Sequence, residues 1–280
     1  MPNLYVSLET FKGTGAMNVT STAYDGRLLA LIDGVSRQVD RFTNRQFYYF
    51  VGTRHFDGPG GGTLWIGDVV SVSTLLEDTN LDGTYETGWA AADYEVYPYD
   101  ADPTSRWGGP YTRLIVNTRS NGSQDEFLKA QKNYRVVGTW GYSKMTLDSG
   151  RDGSGTLGST ATSFVLDGVF AGTIDIGHTV LVDDELMFVR GTGAGGTALT
   201  VDRAQNGSTG TAHSTANVHV IVFPEPVTEA AFIQAARLWK RKDAAFGPEM
   251  GMTETGQLRV FTGLDPDVKM LLGPYRRHAA

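Results

Sequence analysis

The chain reads as an α+β fold. Its expected core is helical, made by a long N-terminal helix and a long C-terminal helix with β-hairpins between them, and a small all-β domain is inserted. Three observations lead to this reading. Apolar residues recur at helical spacing over 22–44 and again after Pro224. The stretches between carry alternating, β-branched sequence. From 147 to 222 the composition shifts to glycine-rich and acidic.

In the first helix, Leu28, Ile32, Val35, Val39 and Phe42 follow a 4, 3, 4, 3 spacing, which places them on one face. Thr22 with Asp25 three residues on resembles a capping box. Strand signals follow in "TLWIGDVVSVSTLLED", "DYEVYPYD", "YTRLIVNTR" and "NYRVVGTWGYS", rich in Val, Ile, Thr and aromatics. Turn sequences at 57–62, 81–83 and 119–123 separate them.

The 147–222 stretch holds 13 glycines, with three basic against eight acidic residues. Short alternating runs lie between glycine turns and no helical period appears, which is the pattern of a small β module. Its flanks are complete elements. The expected organisation is therefore a core of 1–146 and 223–280, interrupted at a surface loop by a 147–222 domain.

After Pro224, "PEPVTEAAFIQAARLWKRKDAAFGP" reads as a helix capped by Thr228 and ended by Gly247-Pro248. Phe232, Ala235, Ala236 and Trp239 give it an apolar face, and Arg237, Lys240, Arg241 and Lys242 form a basic patch suited to an acidic protein partner. A last short helix starts at Asp265, with Pro266 at its first position, and stops at Gly273-Pro274.

Composition excludes several classes of function. The chain has 280 residues, no cysteine and a formal charge of −7. A disulfide framework and a cysteine zinc site are out, and tight wrapping of nucleic acid is disfavoured. No signal peptide is expected from "MPNLYVSLETFKGTG", and no apolar run approaches the ~20 residues of a membrane span.

Several motifs carry chemistry-bearing residues. "EDTNLDGTYETGW" places Asp78, Asn80 and Asp82 in alternation before Gly83, as a calcium loop begins. The twelfth position, where a bidentate Glu belongs, is Trp89. A β-hairpin turning at Asp82-Gly83 is the preferred reading, and no metal or other cofactor is expected. "GSGTLG" (153–158) fits a dinucleotide fingerprint but lacks the flanking strand and helix, so it reads as a linker. Asp183, Asp184 and Glu185 cluster on an expected strand, with Asp183 and Glu185 on one face. Paired carboxylates suit acid–base work, but a solvated strand end is the preferred reading. The five histidines show no metal spacing.

The order of these elements carries a resemblance. "VDRFTNRQFY" ends the first helix, "EDTNLDGTYETGWAAADYEVYP" and "YRVVGTWGYS" follow, then "AAFIQAARLWKRKDAAFG" and "DPDVKMLLGPYRR". Together, over about 1–145 and 223–280, they resemble the head–tail connector (adaptor) proteins of tailed bacteriophages. The 147–222 insert departs from that pattern and looks like a small β module recurring in virion proteins.

The resemblance implies a structural virion protein of the neck, without enzymatic activity, assembled in the bacterial cytoplasm. Its subunits would form a homo-oligomeric ring, usually of twelve. The ring would join the portal to a stopper or tail-completion protein and extend the channel through which double-stranded DNA passes. It also implies that the C-terminal segment docks on the portal, with Leu264, Val268, Leu271 and Leu272 as apolar anchors and Tyr275, Arg276 and Arg277 as polar ones. A short amphipathic helix with a basic tail agrees, being too small to be stable without a surface to bind. Two alternatives stand beside this reading. One is a receptor- or glycan-binding β-rich tail protein, suggested by the glycine-rich insert and "SRWGGPY". The other is a hydrolase using Asp183 and Glu185.

Overall fold

The structure is a computed structural model describing residues 3–13, 17–119, 122–170, 172–241 and 263–277. Two helices come first, α1 (Leu8–Gly13) and α2 (Asp25–Thr43). Six strands follow: β1 (Phe50–Gly58), β2 (Thr63–Glu77), β3 (Thr87–Trp89), β4 (Tyr94–Tyr97), β5 (Tyr111–Val116) and β6 (Ala130–Trp140). They form one antiparallel sheet in the order β1-β6-β2-β5-β4, with β3 paired to β2.

The next eight strands are β7 (Thr146–Asp152), β8 (Thr156–Leu157), β9 (Ser163–Val165), β10 (Thr179–Val182), β11 (Glu185–Thr192), β12 (Ala198–Asp202), β13 (His213–Ser214) and β14 (Asn217–Ile221). Six of them build a second antiparallel sheet, β7-β14-β10-β11-β12-β9, while β13 pairs with β8 alone. The chain ends with α3 (Glu225–Lys240) and α4 (Pro266–Leu272).

This architecture corrects the expected fold class. The protein is mostly β, with 36% of residues in strands, and the four helices among the described residues are short. Among the described residues, no long N-terminal and C-terminal helices form a helical core. Helical spacing marks an amphipathic stripe, but it does not say how much of the molecule's interior that stripe supplies. Here the helices bury their stripes in one cluster, while each large sheet has an apolar cluster of its own.

Within the helical cluster, Leu28, Ile32, Val35 and Val39 of α2 are fully buried. The helix starts at Tyr24 with no side-chain cap, so the Thr22 capping box does not form. Helix α3 begins earlier than expected, with Pro224 rather than Thr228 at its cap position. Its buried alanines Ala230, Ala231 and Ala235 present little bulk, which lets neighbouring helices approach closely. The expected end at Gly247-Pro248 and the patch residue Lys242 lie outside the described residues.

The β10–β11 hairpin is buried on both faces. Val180, Val182, Met187 and Val189 fill the cluster of the second sheet. Leu181 and Leu186 on the opposite face meet Tyr49 and Val70, and Phe188 enters the helical cluster. Strands covered on both faces carry near-continuous apolar runs, as "TVLV" and "ELMFV" do. Polar contacts cross the same boundary. Leu8 N–H donates to the Ile176 carbonyl at 2.9 Å, Ser7 Oγ donates to Asp175 Oδ2 at 2.7 Å, and the Asn3 and Asn206 amides pair reciprocally at 3.0 and 2.8 Å.

Candidate functional site

The C-terminal segment was the first candidate. Asp265 caps α4 by accepting from Asp267 N–H at 3.0 Å, and its own N–H donates to Gln234 Oε1 on α3 at 3.2 Å. Val268 and Leu272 are fully buried in the helical cluster, with Leu264, Leu271 and Tyr275 packed against it. The surface that this short helix needs is supplied by α2 and α3 of the same chain. Tyr275 lies edge-on to Phe47 and Tyr142, and its carbonyl accepts from Arg45 Nε at 2.8 Å. Arg277 N–H donates to the Thr43 carbonyl at 2.8 Å, and Arg276 sits 5.5 Å from the Phe42 ring. The large hydrophobic side chain that α4 shows to solvent is Met270, 72% exposed, beside the exposed Pro266, Asp267 and Lys269.

The first sheet presents a surface that motif reasoning missed. Trp65 on β2 pairs across the ladder with Arg113 on β5, which pairs with Tyr97 on β4. The Arg113 guanidinium lies 4.6 Å from the Trp65 ring and 4.0 Å from Tyr97, so three strands contribute one aromatic–cation–aromatic row. Trp65 is 61% exposed, and Tyr99 and Trp107 are exposed nearby in sequence. Strand alternation placed these residues on some face, but register was needed to align them.

The acidic loop is not the two-residue hairpin expected. β2 ends at Glu77, paired with Thr87, and 78–86 form a nine-residue connection. Carboxylate oxygens of Asp78, Asp82 and Glu86 all lie within 4.8 Å of one another. Asn80 instead bonds within the turn, its Oδ1 accepting from Asp82 N–H at 3.0 Å. The acids are also engaged: Asp78 Oδ2 accepts from Gly83 N–H at 2.8 Å, Asp82 Oδ1 from Thr84 N–H at 2.7 Å, and Glu86 Oε1 from Thr79 Oγ1 at 2.5 Å. These bonds hold Asp82 and Glu86 below the usual carboxylate range. The loop is a self-bonded turn, and the acids that could hold a cation already accept bonds from within it.

Asp183 and Glu185 do not share a strand. Asp183 and Asp184 form the turn of the β10–β11 hairpin, with Asp183 at φ 51°. His213 nevertheless joins them, Nδ1 lying 2.7 Å from Asp183 Oδ2 and Nε2 2.9 Å from Glu185 Oε2. Arg203 grips Glu185 as well, and Ala204 and Thr211 N–H groups donate to it. Every Glu185 lone-pair direction is thus occupied and its side chain is sealed from solvent. The geometry is that of a clasp tying 203–213 to the hairpin, not of an acid–base pair open to a substrate.

No family model and no curated protein matches the chain. Solved structures resemble it weakly. One is a chain of the neck of an empty gene transfer agent particle computed with C6 symmetry. It is 12% identical, covers 99% of this chain and 91% of its own, and has a TM-score of 0.44. Another is a chain of the virion of a native gene transfer agent particle, at the same identity and coverage with a TM-score of 0.40. Neither likeness is close enough to assign a fold or a role. No described helix is long and apolar enough to cross a membrane.

Proposed function

We propose that the chain is a structural subunit of a phage-type virion neck, working by assembly rather than catalysis. In this reading it forms a homo-oligomeric ring, of twelve copies as in the connectors it resembles. The ring lies between a portal and a stopper or tail-completion protein, and DNA passes through its lumen. The 147–222 stretch is an inserted unit of that subunit, and α4 with Arg276 and Arg277 faces the portal.

The observation that carries the reading is the Trp65–Arg113–Tyr97 row. A subunit that works alone has little reason to hold a tryptophan 61% exposed against a fixed guanidinium. Aromatics and arginine of this kind concentrate at the centres of protein interfaces. In a ring, the row would meet a different patch of one neighbouring copy.

Electron microscopy and native mass spectrometry of the purified chain test this. Closed rings are expected, and Trp65→Glu should leave folded monomers that melt like the parent. A chain that stays monomeric at high concentration and alongside portal rings overturns the reading. Rings that form equally well with Trp65→Glu move the interface elsewhere. Trp107, 82% exposed in "SRWGGPY", favours the glycan-binding alternative. A shift of Trp107 fluorescence on adding oligosaccharides would support that one.

A further inference from the structure

A second feature of the surface has no counterpart in the reading above. Five arginines converge on one cavity of about 460 Å³: Arg37 and Arg41 from α2, Arg45 just after it, Arg54 from β1 and Arg277 from the C-terminal segment. Segments this far apart in sequence meet where Arg45, just after α2, bridges to Asp68 on β2, and where Arg277 N–H donates to the Thr43 carbonyl.

Two carboxylates line the same cavity, and they are fewer than the cations. Asp68 Oδ1 accepts from Arg45 Nη1 at 2.6 Å and lies 3.9 Å from Arg277 Nη1. Asp40 is 3.3 Å from Arg37 Nη2 and also accepts from the Tyr5 hydroxyl. Neither Arg41 nor Arg54 forms a close ion pair among the described residues, although the Asp68 charge, shared with Arg45 and Arg277, also acts on Arg54. Arg54 is held instead by ring faces, 4.5 Å from Trp140 and 5.1 Å from Phe50, which position a guanidinium without neutralising it. Arg37 Nε is buried and lacks any acceptor. An unneutralised, partly desolvated cluster of like charges is costly unless an anion completes it.

We propose that this cavity binds a phosphate-type oxyanion, either a free phosphate or diphosphate or a phosphodiester group of a nucleic-acid backbone. The forked donors of arginine match phosphate oxygens two at a time. A multivalent anion suits a cavity with three more positive than negative side chains. Asp68 also points to phosphate over carboxylate, because its Oδ2 is buried without a donor and a monoprotonated phosphate brings one.

The test uses the full chain, with inorganic pyrophosphate as probe in one arm and a 20-base-pair DNA duplex in the other. Thermal melting and titration calorimetry are run at matched ionic strength. Pyrophosphate is expected to raise the melting temperature well beyond an equivalent addition of sodium chloride. Arg54→Gln and Arg41→Gln should each weaken binding about tenfold, the loss expected for one charged hydrogen-bonding partner. Arg41 is exposed, so its variant decides the matter if Arg54→Gln melts early.

Duplex binding that pyrophosphate displaces, and that weakens in Arg41→Gln, identifies a backbone phosphate as the source. Pyrophosphate binding without duplex binding identifies a free phosphate. A melting shift no larger than that from sodium chloride overturns the proposal, as does pyrophosphate binding unchanged in both variants.

Discussion

Arg203 holds Glu185 with two guanidinium nitrogens at once, Nε to Oε1 at 2.7 Å and Nη2 to Oε2 at 2.6 Å. Both side chains are almost completely buried in the second sheet. The pair ties the segment just after β12 to the first residue of β11.

Glu185→Gln should cost about 3–5 kcal/mol, because it leaves Arg203 buried beside a neutral group. Burial alone would raise the Glu185 pKa. Hydrogen bonds from Arg203, His213, Thr211 and Ala204 outweigh it and lower the value from 4.5 to about 2. A depressed carboxylate stabilises the fold above its unfolded pKa, so this contribution is complete above pH 4.5 and is lost as pH falls through about 2. Denaturant melts between pH 2 and pH 6 should show that acid limb in the parent and not in Glu185→Gln.

Asp40 has the opposite sign. Burial raises its pKa from 3.8 to about 6, against the lowering effects of Arg37 and the Tyr5 hydroxyl. The folded state favours the neutral acid, so this group is least costly below pH 3.8, and stability falls as pH rises through about 6. The loss should approach roughly 3 kcal/mol at ~1.4 kcal/mol per pKa unit. Asp40→Asn should flatten that limb. A pH profile that is the same in parent and variant would refute the assignment.

Phe188 tests how far the 147–222 unit depends on its neighbours. It belongs to the second sheet, yet its ring is buried in the helical cluster. Phe188→Ala should cost about 3–5 kcal/mol. Helices α2 and α3 should then gain hydrogen-exchange rate together with the sheet. Faster exchange confined to the sheet would show that the two parts are energetically separate.

Helix α4 divides into core and surface positions. Leu272→Ala should cost about 2–5 kcal/mol because the side chain is fully buried. Met270→Asp should change stability by less than about 0.5 kcal/mol. If this segment also docks on a portal, Met270→Asp should reduce co-sedimentation with portal rings while the chain melts normally. Deleting 264–280 is a poorer test, since it uncovers the helical cluster as well.

Calcium should not raise the melting temperature over EDTA. Asp78, Asp82 and Glu86 come together, but each already accepts from its own turn. A rise at millimolar calcium, abolished by Glu86→Gln, would show that the ion outcompetes those bonds.

By itself the sequence determined local matters. The 4, 3, 4 spacing of Leu28, Ile32, Val35 and Val39 chose the face of α2 that goes inside, and Asp265 with Pro266 set the start of α4. Alternation marked the strands, and the composition shift at 147 lies next to β7, where the second sheet begins. Tertiary structure decided what each apolar stripe meets. It covered Val268 and Leu272 with the chain's own helices, buried both faces of the β10–β11 hairpin, and gave the sheets most of the fold. It also aligned Trp65 with Arg113 and Tyr97, and gathered Arg37, Arg54 and Arg277 around one cavity. The reason is physical. Periodicity records which side of an element avoids water, a property of neighbours a few residues apart. Long-range packing and the alignment of distant strands are set by partners far along the chain, such as Arg45 and Tyr275, and no local pattern encodes them.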